Sequence, residues 1–270
     1  MPKVEVGGTS IYYEVQGKGE PLILIMGFAN THHAWFFQRN LSRYFKVITL
    51  DNRGVGKSGK PDNEYSIKLM ARDVAGIMDC LKIEKAHIVG VSMGGMIAQE
   101  FALKYPHRIL KLILGCTYGK FEKDLVNPDL HELEILLKFG CTRGGMRQLK
   151  KTLRKLFILS FQNKLVKTSV WILSFIYLLI LLREEEIKGL IGQLNAIVKH
   201  DAIDRLHQIN AKTLIIVGDK DEVIKPRASA LIYERMPQAA MCVIEKGSHS
   251  FAFENWRQFN RKILEFLKEE

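Results

Sequence analysis

Short, nearly unbroken apolar runs recur through the first half of the chain and return near its end, separated by segments whose apolar positions step by three and four. Strand-length segments fall at 3–6, 10–16, 21–26, 46–50, 86–91, 109–115, 212–218 and 240–245, the first two interrupted by polar residues and the others mostly apolar. Between them, Ser66 stands as an N-cap before Leu69, Met70, Val74, Ile77 and Leu81, which share one helical face. A second helix opens at Met96 and stops at Leu103-Lys104-Tyr105-Pro106, and a last one spans Glu254 to Lys268. An opening hairpin followed by strand and helix in alternation predicts an α/β protein with a mostly parallel, eight-stranded sheet flanked by helices.

The alternation stops between Tyr118 and His200, where helical patterns take over. This predicts a core domain over 1–117 and 201–270 with a helical cap inserted over 118–200, a lid of the kind that closes over a site and excludes water. Residues 170–182 form a thirteen-residue apolar run interrupted only by Ser174. As a helix it rises about 20 Å, short of the roughly 30 Å of a bilayer core, so it reads as a packed helix or a pocket wall. Trp171 and Phe175 are its candidate substrate-pocket residues. Between Arg143 and Lys167 stand eight basic residues and no acid, with Leu149, Leu153, Leu156 and Phe157 interleaved. A solvated helix face is the ordinary reading of such a pattern, and weak membrane-surface contact or self-association through this basic and apolar cap is the alternative.

Composition narrows the class. A chain of 270 residues, 47% of them apolar, can bury a large core without staples. Its four cysteines, Cys80, Cys116, Cys141 and Cys242, are scattered and form no metal-ligand spacing, so reduced thiols and no metal or cofactor are expected. The start, Met1-Pro2-Lys3-Val4-Glu5, has no apolar signal stretch and points to the cytoplasm. The net charge of +11 comes without a nucleic-acid motif and so speaks to solubility and weak association, with no nucleic-acid partner. Gly54, Gly56 and Gly59 lack the spacing of a phosphate loop and are expected to shape a turn, with Arg53 tied to neighbouring backbone.

The chemistry gathers at Gly90-Val91-Ser92-Met93-Gly94, which joins the run ending in Ile88-Val89 to the helix opening at Met96. A serine on such a strand–turn–helix junction is lifted clear of the sheet, and its flanking residues must be small for the two elements to approach. Serine is a weak nucleophile at neutral pH and needs a histidine base oriented by a carboxylate. Asp221 lies just beyond the buried run Thr213 to Val217, where open α/β sheets carry their functional loops; Asp219, directly after the strand-ending Gly218, suits a turn cap better. Of eight histidines, only His249, in the loop Gly247-Ser248-His249 after the last strand, has the order and setting of the base. His32 and His33 follow the third strand closely enough to line a pocket, and His32 is carried forward as a substrate-facing candidate. The developing oxyanion needs two backbone donors: Met93, directly after the nucleophile, and Phe28, in the turn after Ile25-Met26.

Six blocks in order, Met26-Gly27-Phe28, Leu50 to Ser58, Gly90 to Gly95, Leu112 to Thr117, Gly218 to Pro226 and Gly247-Ser248-His249, resemble the α/β-hydrolase superfamily. They look most like its branch of 3-oxoadipate enol-lactonase-like hydrolases, small carboxylesterases and perhydrolases. The oxyanion loop departs from that pattern, with Met26-Gly27 in place of His-Gly. The resemblance implies Ser92, Asp221 and His249 as triad and Phe28 and Met93 as oxyanion donors. The expected activity is hydrolysis of a small-molecule carboxylic ester with an apolar acyl or alcohol part. A lactonase or a perhydrolase would use the same triad, and a non-enzymatic receptor or scaffold could use the same fold.

Overall fold

The computed structural model describes residues 2–129, 132, 148, 151–152, 154–156, 158–163 and 184–269. Eight strands form one sheet: β1 (Lys3–Val6), β2 (Thr9–Gln16), β3 (Pro21–Ile25), β4 (Lys46–Leu50), β5 (Ala86–Val91), β6 (Ile109–Gly115), β7 (Lys212–Gly218) and β8 (Ala239–Ile244). Their order is β1-β2-β4-β3-β5-β6-β7-β8, antiparallel from β1 to β4 across β2 and parallel from there on. The helices are α1 (Ile67–Cys80), α2 (Met93–Lys104), α3 (Glu184–Val198), α4 (Pro226–Arg235), the short α5 (Phe251–Glu254) and α6 (Trp256–Lys268).

The near-continuous apolar character of the inner strands β3, β4 and β5 follows from burial on both faces, because successive side chains point to opposite sides. Ile23 and Ile25 belong to one core cluster with α1, α2 and α4, through residues such as Val74, Ile97 and Ile232. Leu22 and Leu24 belong to the other, with Trp35 and Leu41 of the 3-10 segment His32–Arg43 and with Phe259 and Ile263 of α6. Ser66 caps α1 as its sequence predicts, its hydroxyl accepting from the Leu69 N–H at 3.1 Å. Arg53 departs from expectation. Its guanidinium is fully buried and grips Asp73 of α1 through two bonds of 2.6 and 2.7 Å, because a buried cation needs a countercharge that backbone carbonyls alone do not supply.

The connection reverses direction between β3 and β5: from β3 the chain crosses to β4 on one side, and β5 returns on the other. Crevices form at the carboxyl ends of such a switch, and here the turn after β3 faces the turn after β5. The long connection from β6 to β7 leaves and re-enters the core at one place. Ala202 N–H donates to Gly119 O at 2.7 Å, and Lys120 pairs with Asp201 by a β-bridge and a 2.8 Å ion pair. α3 then packs so closely on the core that a Cβ on Gly189 would collide with the Gly54 carbonyl. Trp171, Phe175, the run 170–182 and most of the basic stretch lie outside the described residues. Among the described residues no helix is long and apolar enough to cross a membrane.

Candidate active site

β5 ends at Val91, α2 begins at Met93, and Ser92 between them has φ 55° and ψ −124°. A non-glycine residue in this region is strained and must be held by its surroundings. The Ser92 N–H donates to Gly115 O at 2.8 Å, its carbonyl accepts from the buried Thr117 hydroxyl at 2.8 Å, and Gly95 N–H donates to the same carbonyl at 2.9 Å. Close packing completes the turn, since a Cβ on Gly94 would run into the Ile25 carbonyl. The result aims the hydroxyl at the carboxyl edge of the sheet.

His249 Nε2 lies 3.1 Å from Ser92 Oγ, and His249 Nδ1 lies 2.8 Å from Asp221 Oδ2. The chain thus brings together three residues from loops after β5, β7 and β8. Asp221 is buried, and its other oxygen accepts from the N–H groups of Val223 and Ile224 at 2.9 Å each, so one carboxylate fixes its own loop while orienting the imidazole. Asp219 does not cap the turn. Its carboxylate is partly exposed and sits 3.6 Å from Lys220, while the turn-capping bonds are made by Asp221.

The loop after β3 backs onto the nucleophile: a Cβ on Gly27 would lie 2.9 Å from Ser92 Cβ. Among the described residues the Phe28 N–H has no protein acceptor. Met93 opens α2, and its N–H has no intrahelical acceptor four residues back, so it adds the positive end of the helix to the same space.

Two contributors, Gln193 and Glu254, carry no motif and escape the sequence, and a third, Cys116, lies in the matched block Leu112 to Thr117 with no role legible there. Gln193 of α3 is fully buried; its Oε1 accepts from Ala29 N–H at 3.0 Å and its Nε2 donates to Arg53 O at 2.9 Å, joining the turn after β3 to the turn after β4. Glu254 of α5 accepts from the backbone of Gln162 and Asn163 at 3.0 and 2.8 Å and from the Ser248 hydroxyl, tying this part of the connection from β6 to β7 to the His249 loop. Cys116 places its thiol 3.6 Å from the His249 carbonyl. Its Sγ, the Asp221 carboxylate and the His249 ring lie within 4.8 Å of one another, a donor set a metal could use. Burial, with the Asp221 charge beside it, pushes the Cys116 thiol well above its ordinary value. A thiol held protonated is a poor metal ligand, and the other two groups are engaged with each other, so the trio suits proton transfer better than coordination.

The reading of His32 as a pocket residue needs correction. It is buried, its Nδ1 lies 2.7 Å from Asp51 Oδ1 and its Nε2 3.1 Å from Glu14 Oε1. Its ring is enclosed between the turn after β4 and strand β2, with almost no surface open to a substrate. A histidine between two carboxylates far apart in sequence leaves no local signal.

Comparison with known proteins agrees with this architecture. The alpha/beta hydrolase fold family model matches residues 20–255. The 2-hydroxy-6-oxo-6-phenylhexa-2,4-dienoate hydrolase of Burkholderia cepacia is 31% identical over 266 residues, 95% of this chain and 91% of that protein. A provisionally named carbamate hydrolase RutD of Azorhizobium caulinodans is 26% identical over 270 residues, 100% of this chain and 99% of that protein. Among solved structures, the N-acyl homoserine lactone degrading enzyme Est816 is similar with a TM-score of 0.81 and 25% identity, over 98% of this chain and 100% of that one.

Proposed function

The chain belongs to the alpha/beta hydrolase fold family, and from that membership together with the geometry around Ser92 we propose that it is a serine hydrolase of carboxylic esters working through an acyl-enzyme. The observation that carries the reading is the unbroken relay from Ser92 Oγ through His249, at 3.1 Å, to Asp221, at 2.8 Å. Ser92 attacks the ester carbonyl as its proton passes to His249 Nε2. Asp221 accepts from Nδ1–H, holding the tautomer and stabilising the imidazolium. The oxyanion is bound by the N–H groups of Phe28 and Met93, which need no reorganisation as charge develops. His249 then protonates the departing alcohol, activates a water for attack on the acyl-enzyme, and the acid leaves.

Residues 118–200 act as the cap, a division supported by the pinning of Gly119 and Lys120 to Asp201 and Ala202. The apolar run 170–182 makes an apolar acyl or alcohol part the expected substrate feature. The relative at 31% identity favours a second reading, hydrolytic cleavage of a 2-hydroxy-6-oxo dienoate by the same residues. A panel of p-nitrophenyl esters from acetate to palmitate, with a lactone and 2-hydroxy-6-oxo-6-phenylhexa-2,4-dienoate beside it, decides between them. Ester turnover should exceed dienoate and lactone turnover by at least tenfold in kcat/KM, roughly the discrimination that a pocket misfit produces. Preferred turnover of the dienoate would replace the ester reading with the second one.

A further inference from the structure

Away from the triad, segment His32–Arg43 and α6 lie side by side as one hydrogen-bonded platform. Gln38 Nε2 donates to Asn260 Oδ1 at 3.0 Å and to Ala252 O at 2.9 Å, and Asn260 Nδ2 donates to Phe37 O at 2.9 Å. On its outer side Phe36 is 62% exposed and Phe253 44% exposed, unusual values for phenylalanine in a well-packed core domain. These rings are linked: Phe37 meets Phe36 and Phe253 edge-on at 5.4 and 5.1 Å and stacks on Trp256 at 5.2 Å and 8°. Four connected aromatic rings, two of them largely open, form a patch of the kind that marks a contact surface.

Cations lie along the same two elements. Arg39 lies over Phe36 at 5.8 Å, Arg257 over Trp256 at 4.6 Å, and Lys268 over the exposed Tyr44 ring at 3.9 Å. Among the described residues Arg43, Arg257 and Lys268 pair with no carboxylate. The acids nearby are already engaged: Glu265 takes Arg261 and Lys262, Glu14 faces His32 and Arg39, and Glu254 turns inward to Ser248. The face therefore joins exposed aromatic rings to unpaired positive charge on a chain of net charge +11.

We propose that this platform docks on an anionic phospholipid surface. Aromatic rings settle at the headgroup boundary, and long basic side chains extend their charges to phosphate while their stems cover apolar area. Unpaired cations gain from the negative potential of such a surface, roughly fivefold in partitioning for each one that approaches it. A partner protein would supply its own acids at fixed positions, whereas this patch has cations spread along two elements. The contact is on the core domain, distinct from the basic and apolar stretches of the insertion. Phe253 stands four residues after His249 in sequence, and its ring meets that of Phe161 edge-on at 6.0 Å between centroids.

The test is co-sedimentation of the full chain with phosphatidylcholine vesicles, with and without phosphatidylglycerol, a readout independent of any hydrolytic activity. Wild type should partition onto the anionic vesicles and be released by salt. The double variant Phe36→Ser/Phe253→Ser and the triple variant Arg43→Gln/Arg257→Gln/Lys268→Gln should each lose about tenfold or more in partitioning, with melting temperatures near wild type. Equal binding to vesicles lacking phosphatidylglycerol, no binding, or wild-type binding by both variants would overturn the proposal. So would a dimer, seen by light scattering, that the double variant dissociates, since the patch would then face a second copy.

Discussion

Replacing Gln193 by Met keeps side-chain length and volume while removing both of its hydrogen-bonding atoms, which makes it a direct probe of the bridge between α3 and the oxyanion turn. Gln193 is fully buried, so the substitution removes a buried bond to Arg53 O and a part-buried one from Ala29 N–H. The buried Arg53 carbonyl left unpaired costs about 1–3 kcal/mol and the part-buried Ala29 N–H less, so unfolding stability should drop by roughly 1–4 kcal/mol. The catalytic effect has its own ceiling. One oxyanion donor is worth about 100- to 1000-fold in kcat, and the bond lost here holds Ala29, the neighbour of the proposed donor Phe28. A shifted but present donor should therefore lower kcat by about 10- to 100-fold while KM changes by less than about threefold, because the contact matters most once charge has developed. Steady-state kinetics on p-nitrophenyl butyrate, run well below the melting temperature, and urea unfolding separate the two effects. Lost stability with unchanged kcat would refute the reasoning and leave Gln193 a structural bridge with no hold on the proposed oxyanion site.

Asp221→Asn should cut kcat by roughly 10⁴, as expected when the imidazole loses its orienting acceptor, whereas Asp219→Asn should stay within about twofold; the reverse ranking would show that the wrong carboxylate has been assigned. Burial pushes His200 down to about 4 from 6.5, so between those values the unfolded chain takes up a proton that the folded chain refuses, and stability falls as pH falls. The full gap is worth about 3 kcal/mol, and His200→Gln should flatten the loss of urea stability between pH about 7 and about 4.5; an unchanged slope would place the acid sensitivity elsewhere. Trp171→Ala and Phe175→Ala should shift the ratio of kcat/KM for octanoate over butyrate esters by up to about tenfold, from roughly 0.8 kcal/mol per methylene; an unchanged ratio in both folded variants would take them out of the acyl pocket.

Much of the fold was readable because its signals are local. The inner strands β3, β4 and β5 are near-continuous apolar runs, since a parallel sheet covered on both faces leaves little polar alternation, whereas the edge strand β1 alternates as Lys3-Val4-Glu5-Val6, and Ser66 announces α1 through a bond spanning three residues. The elbow at Ser92 is equally local, with strand, small residues and helix all within ten positions. What escaped depends on contacts between distant residues. Gln193 reaches back 164 residues to Ala29, and His32 reaches Asp51 and Glu14 through the sheet's own topology. Arg53 was expected on backbone because nothing near it names Asp73 as its partner, twenty residues away on the buried face of α1. Asp219 and Asp221 differ only in which one the loop turns inward, a choice made by the Val223 and Ile224 N–H groups.

The central claim is that Ser92 is the nucleophile, and its most direct test is reaction with a fluorophosphonate followed by peptide mass spectrometry, alongside ester kinetics of Ser92→Ala. The geometry predicts one phosphonylated residue, Ser92, complete loss of labelling in Ser92→Ala, and a fall in kcat of about 10⁴ or more with the fold retained. An adduct on another residue, or a tenth of the activity surviving in Ser92→Ala, would contradict it.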